Sequence, residues 1–158
     1  MNSTHRDVYL LIYPSPLFAA HWALWLPNDN AAKEALGKVI QVTGNVATGF
    51  EHQFKRNYDL SDTARASTLL ALGHIGGEHV VMNGPEIDNI AIDTMEEKAL
   101  SVEAPGPSLR SAGDVKAGRT RVNIRNCQTW LVEYVDVLIR DDILDYSAKA
   151  ILDSGPKN

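Results

Sequence analysis

The stretch RNCQTWLVEYVDVLIR (Arg125 to Arg140) constrains the fold more than any other part of the chain. Trp130, Leu131, Tyr134, Val135, Leu138 and Ile139 recur at helical spacing, which predicts a helix with one wide apolar face. Such a helix is stable only against a partner surface. The preceding residues read as that surface. Asn126 is a good N-cap, so Cys127 falls in the first helical turn. Unpaired backbone N–H groups and the positive end of the helix dipole lie there, and both favour a thiolate.

Short β-forming runs with turn signals between them fill the first half of the chain. Arg6 to Tyr13 is followed by Pro14-Ser15-Pro16. Ala19 to Leu26 is closed by Pro27, and Gly37 to Gly44 is bracketed by glycines. Gly49 to Asp59 alternates Phe50, His52 and Phe54 against Glu51, Gln53 and Lys55. Thr68 to Ile75 is a fifth strand, and His79 to Met82 reads as one more short strand. A helix lies within Ile87 to Val102, with Thr94 and Glu97 placed as a capping box that starts it at Thr94. Ala104 to Gly118 carries two prolines and three glycines and reads as a long loop leading to the cysteine helix. A terminal helix follows around Ile143 to Leu152, stopped by Gly155-Pro156. Strands first and helices after predict an α+β fold with a mainly antiparallel sheet of five or six strands, in a single domain over residues 1–158.

Composition narrows the function classes. A net charge of −5, with no dense basic cluster, argues against nucleic acid. One cysteine excludes an internal disulfide and points to a reducing compartment. The apolar run before Pro14 is too short to span a membrane and is not a convincing signal peptide. The expectation is a cytoplasmic protein acting on a small molecule, with no membrane anchor and no cofactor; the oligomeric state stays open. His74 and His79, separated by IGGE, lack metal-ligand spacing, so no metal site is expected.

A catalytic cysteine needs a base, and the base needs an orienting partner. His21 sits in an apolar strand between Ala20 and Trp22, where strand alternation puts it on one face with Ala23 and Trp25. Gln41 is likewise a polar residue in an apolar strand, on one face with Val39 and Thr43. A buried polar residue on each of two neighbouring strands is more informative than an exposed one. The plain readings stand beside this one. A lone cysteine is more readily a small buried apolar residue than a nucleophile, and a strand histidine more readily a structural one. Trp22 and Trp25 read as core or pocket wall; together with Asn126 and His52 they are the candidates for substrate contact.

HWALWLP (His21 to Pro27) followed by KVIQV resembles a strand pair of lecithin–retinol acyltransferase and the HRAS-like suppressor acyltransferases. NCQTW (Asn126 to Trp130) resembles their NCEHF segment. The chain is also similar to small fungal proteins sharing the FKRNYDL (Phe54 to Leu60) and APGPS (Ala104 to Ser108) stretches. The resemblance to the acyltransferases implies a circularly permuted, NlpC-type papain-like fold. It also implies Cys127 as nucleophile, His21 as base and, where that family usually has a second histidine, Gln41 as third residue. The implied reaction is cysteine-dependent acyl transfer to water or another acceptor. Two alternatives remain open: a cyclase or isomerase of fungal secondary metabolism that uses the pocket without an acyl-enzyme, and a binding module in which Cys127 is inert.

Overall fold

The structure, a computed structural model, describes residues 5–15, 19–62, 65–107 and 125–157. Strands β1 (His5–Tyr13), β2 (His21–Pro27), β3 (Leu36–Asn45), β4 (Gly49–Asp59), β5 (Thr68–Gly76) and β6 (Ile87–Asp88) form one antiparallel sheet in the order β5-β1-β2-β3-β4-β6. Helices α1 (Thr94–Leu100), α2 (Cys127–Arg140) and α3 (Ser147–Asp153) pack on one face of it. The fold is α+β, with a six-stranded antiparallel open sheet.

Strand alternation divides the apolar residues between two cores. Leu10, Ile12, Trp22, Leu24, Ile40 and Phe54 face the helices, where they meet Trp130, Leu131, Tyr134 and Leu138 of α2. Tyr9, Leu11, Tyr13, Ala23, Trp25 and Val39 form a smaller core on the opposite face with Leu60. Burying one such aliphatic side chain contributes about 1.5–3 kcal/mol, so most of the apolar driving force comes from the helix-side core.

A buried ion network joins the sheet to α1. Lys38 pairs with Asp93 and, at 2.9 Å, with Glu96, while Arg56 pairs with Glu96 at 2.7 Å and Asp88 at 3.1 Å. The β3–β4 register shifts between Gly37 and Val39, where Arg56 and Asn57 stand opposite the single residue Lys38. Asn57 has φ +54°, in keeping with a bulge that re-aims its neighbours.

Two sequence expectations need correction. His79 to Met82 is not a strand: a 3₁₀ turn covers Gly77–His79. The backbone of Val81 is bonded to side chains instead of a strand, its N–H donating to Asp93 at 2.9 Å and its carbonyl accepting from Lys38. The helix expected within Ile87 to Val102 begins at Thr94, and Ile87–Asp88 ahead of it pairs with β4. The cap of α1 is Asp93, one residue before Thr94; its carboxylate accepts from the Glu96 N–H at 2.8 Å. Of the expected loop Ala104 to Gly118, residues 108–118 lie outside the described residues, as does Pro16.

Candidate active site

The ladder between β2 and β3 runs from Leu24↔Ile40 to Pro27↔Gly37 and stops there. Beyond it, residues 21–23 of β2 keep their pairing only with β1. Two groups gather where β2 and β3 part, one from each face of the sheet.

On the face opposite the helices, His21, Gln41 and Gln53 form a polar row across three strands. The register Gln41↔Gln53 sets the last two side by side. Gln41 donates through Nε2 to Gln53 Oε1 at 2.7 Å, and its own Oε1 lies 2.6 Å from His21 Nε2. An oxygen facing Nε2 makes that nitrogen the protonated one in the neutral ring, which leaves Nδ1 as the basic nitrogen. Tyr13 stacks on the imidazole with ring centroids 5.9 Å apart. Burial holds His21 below its usual 6.5; the Gln41 hydrogen bond works against this, and the charges of Arg65 and Lys55 add to the lowering.

On the helix face, Cys127 opens α2. Asn126 caps the helix by accepting from the N–H groups of Gln128 and Thr129 at 2.9 and 3.2 Å. The Cys127 thiol points at the Ala20 carbonyl, 3.8 Å away, and the N–H groups of Trp22, Cys127 and Gln128 are directed at the sulfur. The sulfur is thus held against the backbone on either side of His21. Gln128 secures this arrangement, donating through Nε2 to the carbonyls of Ala20 and Lys157, both at 2.9 Å.

The electrostatic expectation for the cysteine is reversed. Burial pushes the thiol above its usual 9.0, and the three N–H groups only partly offset it. The helix start behaves as anticipated, but docking leaves Cys127 only 7% exposed, and desolvation is the larger effect. The structure places the thiol on a carbonyl and the imidazole on an amide; no hydrogen bond joins Cys127 to His21 among the described residues.

The remaining candidates for substrate contact are packed away from His21. Trp22 is buried in the helix-side core and its indole N–H donates to Pro156 O at 3.0 Å. Trp25 is buried in the opposite core and donates to Lys33 O at 2.7 Å. His52 faces the helices, with its ring edge-on to Trp130 and Nε2 donating to Val102 O at 2.8 Å. The side-chain oxygen of Asn126 is taken up by the cap. The two indole N–H groups, His52 Nε2 and the Asn126 side-chain oxygen are thus each hydrogen-bonded within the protein.

Gln53, Lys55, Tyr58 and Arg65, none of them a site candidate from sequence, join His21 and Gln41 around the space beside the imidazole. A cleft of about 360 Å³ is bordered by His21, Gln41, Gln53, Lys55, Tyr58 and Arg65, among others. Its lining holds two cationic side chains and no carboxylate. Gln53 and Lys55 were legible as one strand face, yet only the register with Gln41 and Val39 makes that face a cleft wall. Among the described residues no three His, Cys, Asp or Glu side chains cluster as a metal-ligand set, and no helix is long and apolar enough to cross a membrane.

No curated protein and no solved structure matches the chain. One family profile does, described as "Family of unknown function (DUF6540)", and it matches residues 8–145, from the middle of β1 to the turn before α3. That match takes in His21, Gln41, Gln53 and Cys127 together, and the chain belongs to the DUF6540 family.

Proposed function

We propose that the protein is a cysteine-dependent acyl-transfer enzyme of papain-like type, with Cys127 as nucleophile, His21 as base and Gln41 as the residue that orients the base. One observation carries the reading: the 2.6 Å contact from Gln41 Oε1 to His21 Nε2 leaves Nδ1 as the free base. Nδ1 is adjacent to the ring carbon that joins the side chain to the backbone, and the sulfur lies against the backbone flanking that residue.

In this mechanism a neutral thiol and a neutral imidazole form the resting pair. The sulfur leaves the Ala20 carbonyl and passes its proton to Nδ1 as it attacks an ester, amide or thioester carbonyl. A C–S bond forms, and the carbonyl π electrons move to oxygen. Backbone N–H groups at the start of α2 stabilise that oxyanion. Collapse breaks the bond to the leaving group, which takes the proton from His21. Water, an alcohol or an amine then attacks the thioester and loses its proton to His21; the C–S bond breaks, and the departing Cys127 sulfur takes that proton back, which restores the neutral pair. Gln41 carries no charge, so it fixes the tautomer of His21 without stabilising the imidazolium as a carboxylate does.

Intact-protein and peptide mass spectrometry after exposure to an activated ester tests the proposal. The expected result is an acyl adduct on Cys127 that is absent from Cys127→Ala and strongly reduced in His21→Ala. Labelling that persists in Cys127→Ala, or never reaches Cys127, overturns it.

The raised thiol favours a second reading, in which the His21 cleft binds a ligand and Cys127 is inert. Turnover without any covalent species instead supports acid–base cyclisation or isomerisation in the same cleft.

A further inference from the structure

We propose that the compound bound beside His21 is a small carboxylate, held by Lys55 and Arg65, with its uncharged acyl portion over Gln41 and His21. The proposal deepens the acyl-transfer reading and rests on it for the identity of the acyl group.

Three observations support it. The first is charge. The whole chain carries a net charge of −5, yet the lining of this cleft includes a lysine, an arginine and no acidic side chain. A local cationic site on an acidic protein attracts anions to one place.

The second is placement. Gln53 and Lys55 are two residues apart on β4, so they share a face with their Cα atoms about 6–7 Å apart. Gln53 belongs to the hydrogen-bonded row that ends at His21. An anionic group at Lys55 therefore sits one small-molecule length from the imidazole. Arg65 approaches the same space from the segment before β5, its guanidinium over the Tyr13 ring at 4.2 Å, while Tyr13 itself stacks on His21. Lys55 lies over the Tyr58 ring at 5.0 Å. Each cation thus stands over an aromatic ring at the cleft wall, which limits the volume it samples before a ligand arrives.

The third is donor chemistry. A guanidinium offers a planar fork that matches a carboxylate, and an ammonium adds a point charge. The amide nitrogen of Gln53, whose oxygen is taken up by Gln41, suits a neutral acceptor atom of the same ligand. A cleft of about 360 Å³ accommodates a molecule of that size.

The test uses Cys127→Ala protein, in which binding is read without covalent chemistry. N-acetylphenylalanine, its neutral amide and phenyl phosphate are titrated by calorimetry. The acid is expected to bind more tightly than the amide. Lys55→Gln and Arg65→Gln should each weaken the acid by about tenfold, the loss expected for one charge-assisted hydrogen bond. The double variant should lose the preference for acid over amide, with circular dichroism and thermal midpoint confirming that it folds. Equal affinity for acid and amide, no binding of any probe, or unchanged binding by the folded double variant overturns the proposal. Preference for phenyl phosphate overturns the carboxylate assignment. Acylation of Cys127 in the wild type, measured in parallel, separates the two ideas: acid binding without acylation sinks the cysteine mechanism alone, and acylation without an acid preference sinks the carboxylate site alone.

Discussion

His21 Nε2 and Gln41 Oε1 face each other at 2.6 Å across the point where β2 and β3 separate. The contact selects one imidazole tautomer, and Gln41 is itself held by Gln53 at 2.7 Å. In the proposed mechanism the base is oriented through two amides in series and depends on both. Gln41→Leu should lower kcat/KM by on the order of 10-fold or more, with little change in KM. His21→Ala should cost about 10²–10⁴-fold, the usual range for a general base. Steady-state kinetics with an activated ester checks this; a Gln41→Leu enzyme as fast as wild type would remove Gln41 from the mechanism.

In the proposed mechanism the acid limb of activity follows from His21. Burial, opposed by the Gln41 hydrogen bond and aided by Arg65 and Lys55, holds its pKa below 6.5, and the base works only when neutral. Activity should therefore be more than half its plateau value at pH 6.5 and fall as pH drops through the lowered value. Alkylation of Cys127 by a neutral reagent should rise with pH to a midpoint above 9.0, since burial raises the thiol. A kinetic midpoint above 6.5, or a thiol titrating near neutrality, contradicts the resting pair described above.

Lys38 has both its carboxylate partners, Asp93 and Glu96, inside the protein. Lys38→Met leaves those acids without one of their cations and should destabilise the fold by about 3–5 kcal/mol, the usual effect of removing one member of a buried ion pair. Urea unfolding monitored by tryptophan fluorescence measures it. A loss under about 1 kcal/mol would mean that the network relaxes around the gap.

Glu96 also makes stability depend on pH. Burial pushes its carboxyl up, but hydrogen bonds from Arg56, Lys38 and the Ile92 N–H outweigh this and hold it below 4.5. A carboxyl whose folded pKa is depressed adds stability that is complete above its unfolded value and lost as pH falls through the folded one. Unfolding free energy should therefore decline from about pH 4.5 downward. Glu96→Gln should flatten that decline; an unchanged acid slope assigns it to other carboxylates.

Gly37 pairs with the end of β2 where the backbone and an indole close in. A Cβ there meets Leu26 O at 2.6 Å and the Trp25 ring at 2.7 Å. Gly37→Ala should cost about 1–3 kcal/mol by overpacking. Thermal unfolding reads it directly, and a neutral effect would show that Trp25 can shift.

Much of this architecture is readable from local chemistry. Alternation along AAHWALWL puts His21 with Ala23 and Trp25, and along GKVIQVTG puts Gln41 with Val39 and Thr43, as observed. The apolar stripe after Asn126 gives α2 its buried face, and the Asn126 cap sets Cys127 in the first turn. These features depend on neighbours within a few residues: a strand repeats every two positions, and a cap is completed within one turn.

Other features depend on distant partners, and the sequence alone leaves them undetermined. Gln53 joins the His21 row because the β3–β4 register, shifted at Lys38 by Arg56 and Asn57, sets it beside Gln41. His52, one residue away, falls on the helix side and bonds to Val102. Ile87–Asp88 becomes a strand because Phe54 and Lys55 offer it a free edge. The Cys127 thiol shows the division most clearly. The sequence determines that it sits among the free N–H groups of a helix start, which lowers a thiol pKa. Only docking of α2 against β2, with Gln128 tying both to Lys157, determines how much water remains at the sulfur, and at Cys127 desolvation is the stronger effect.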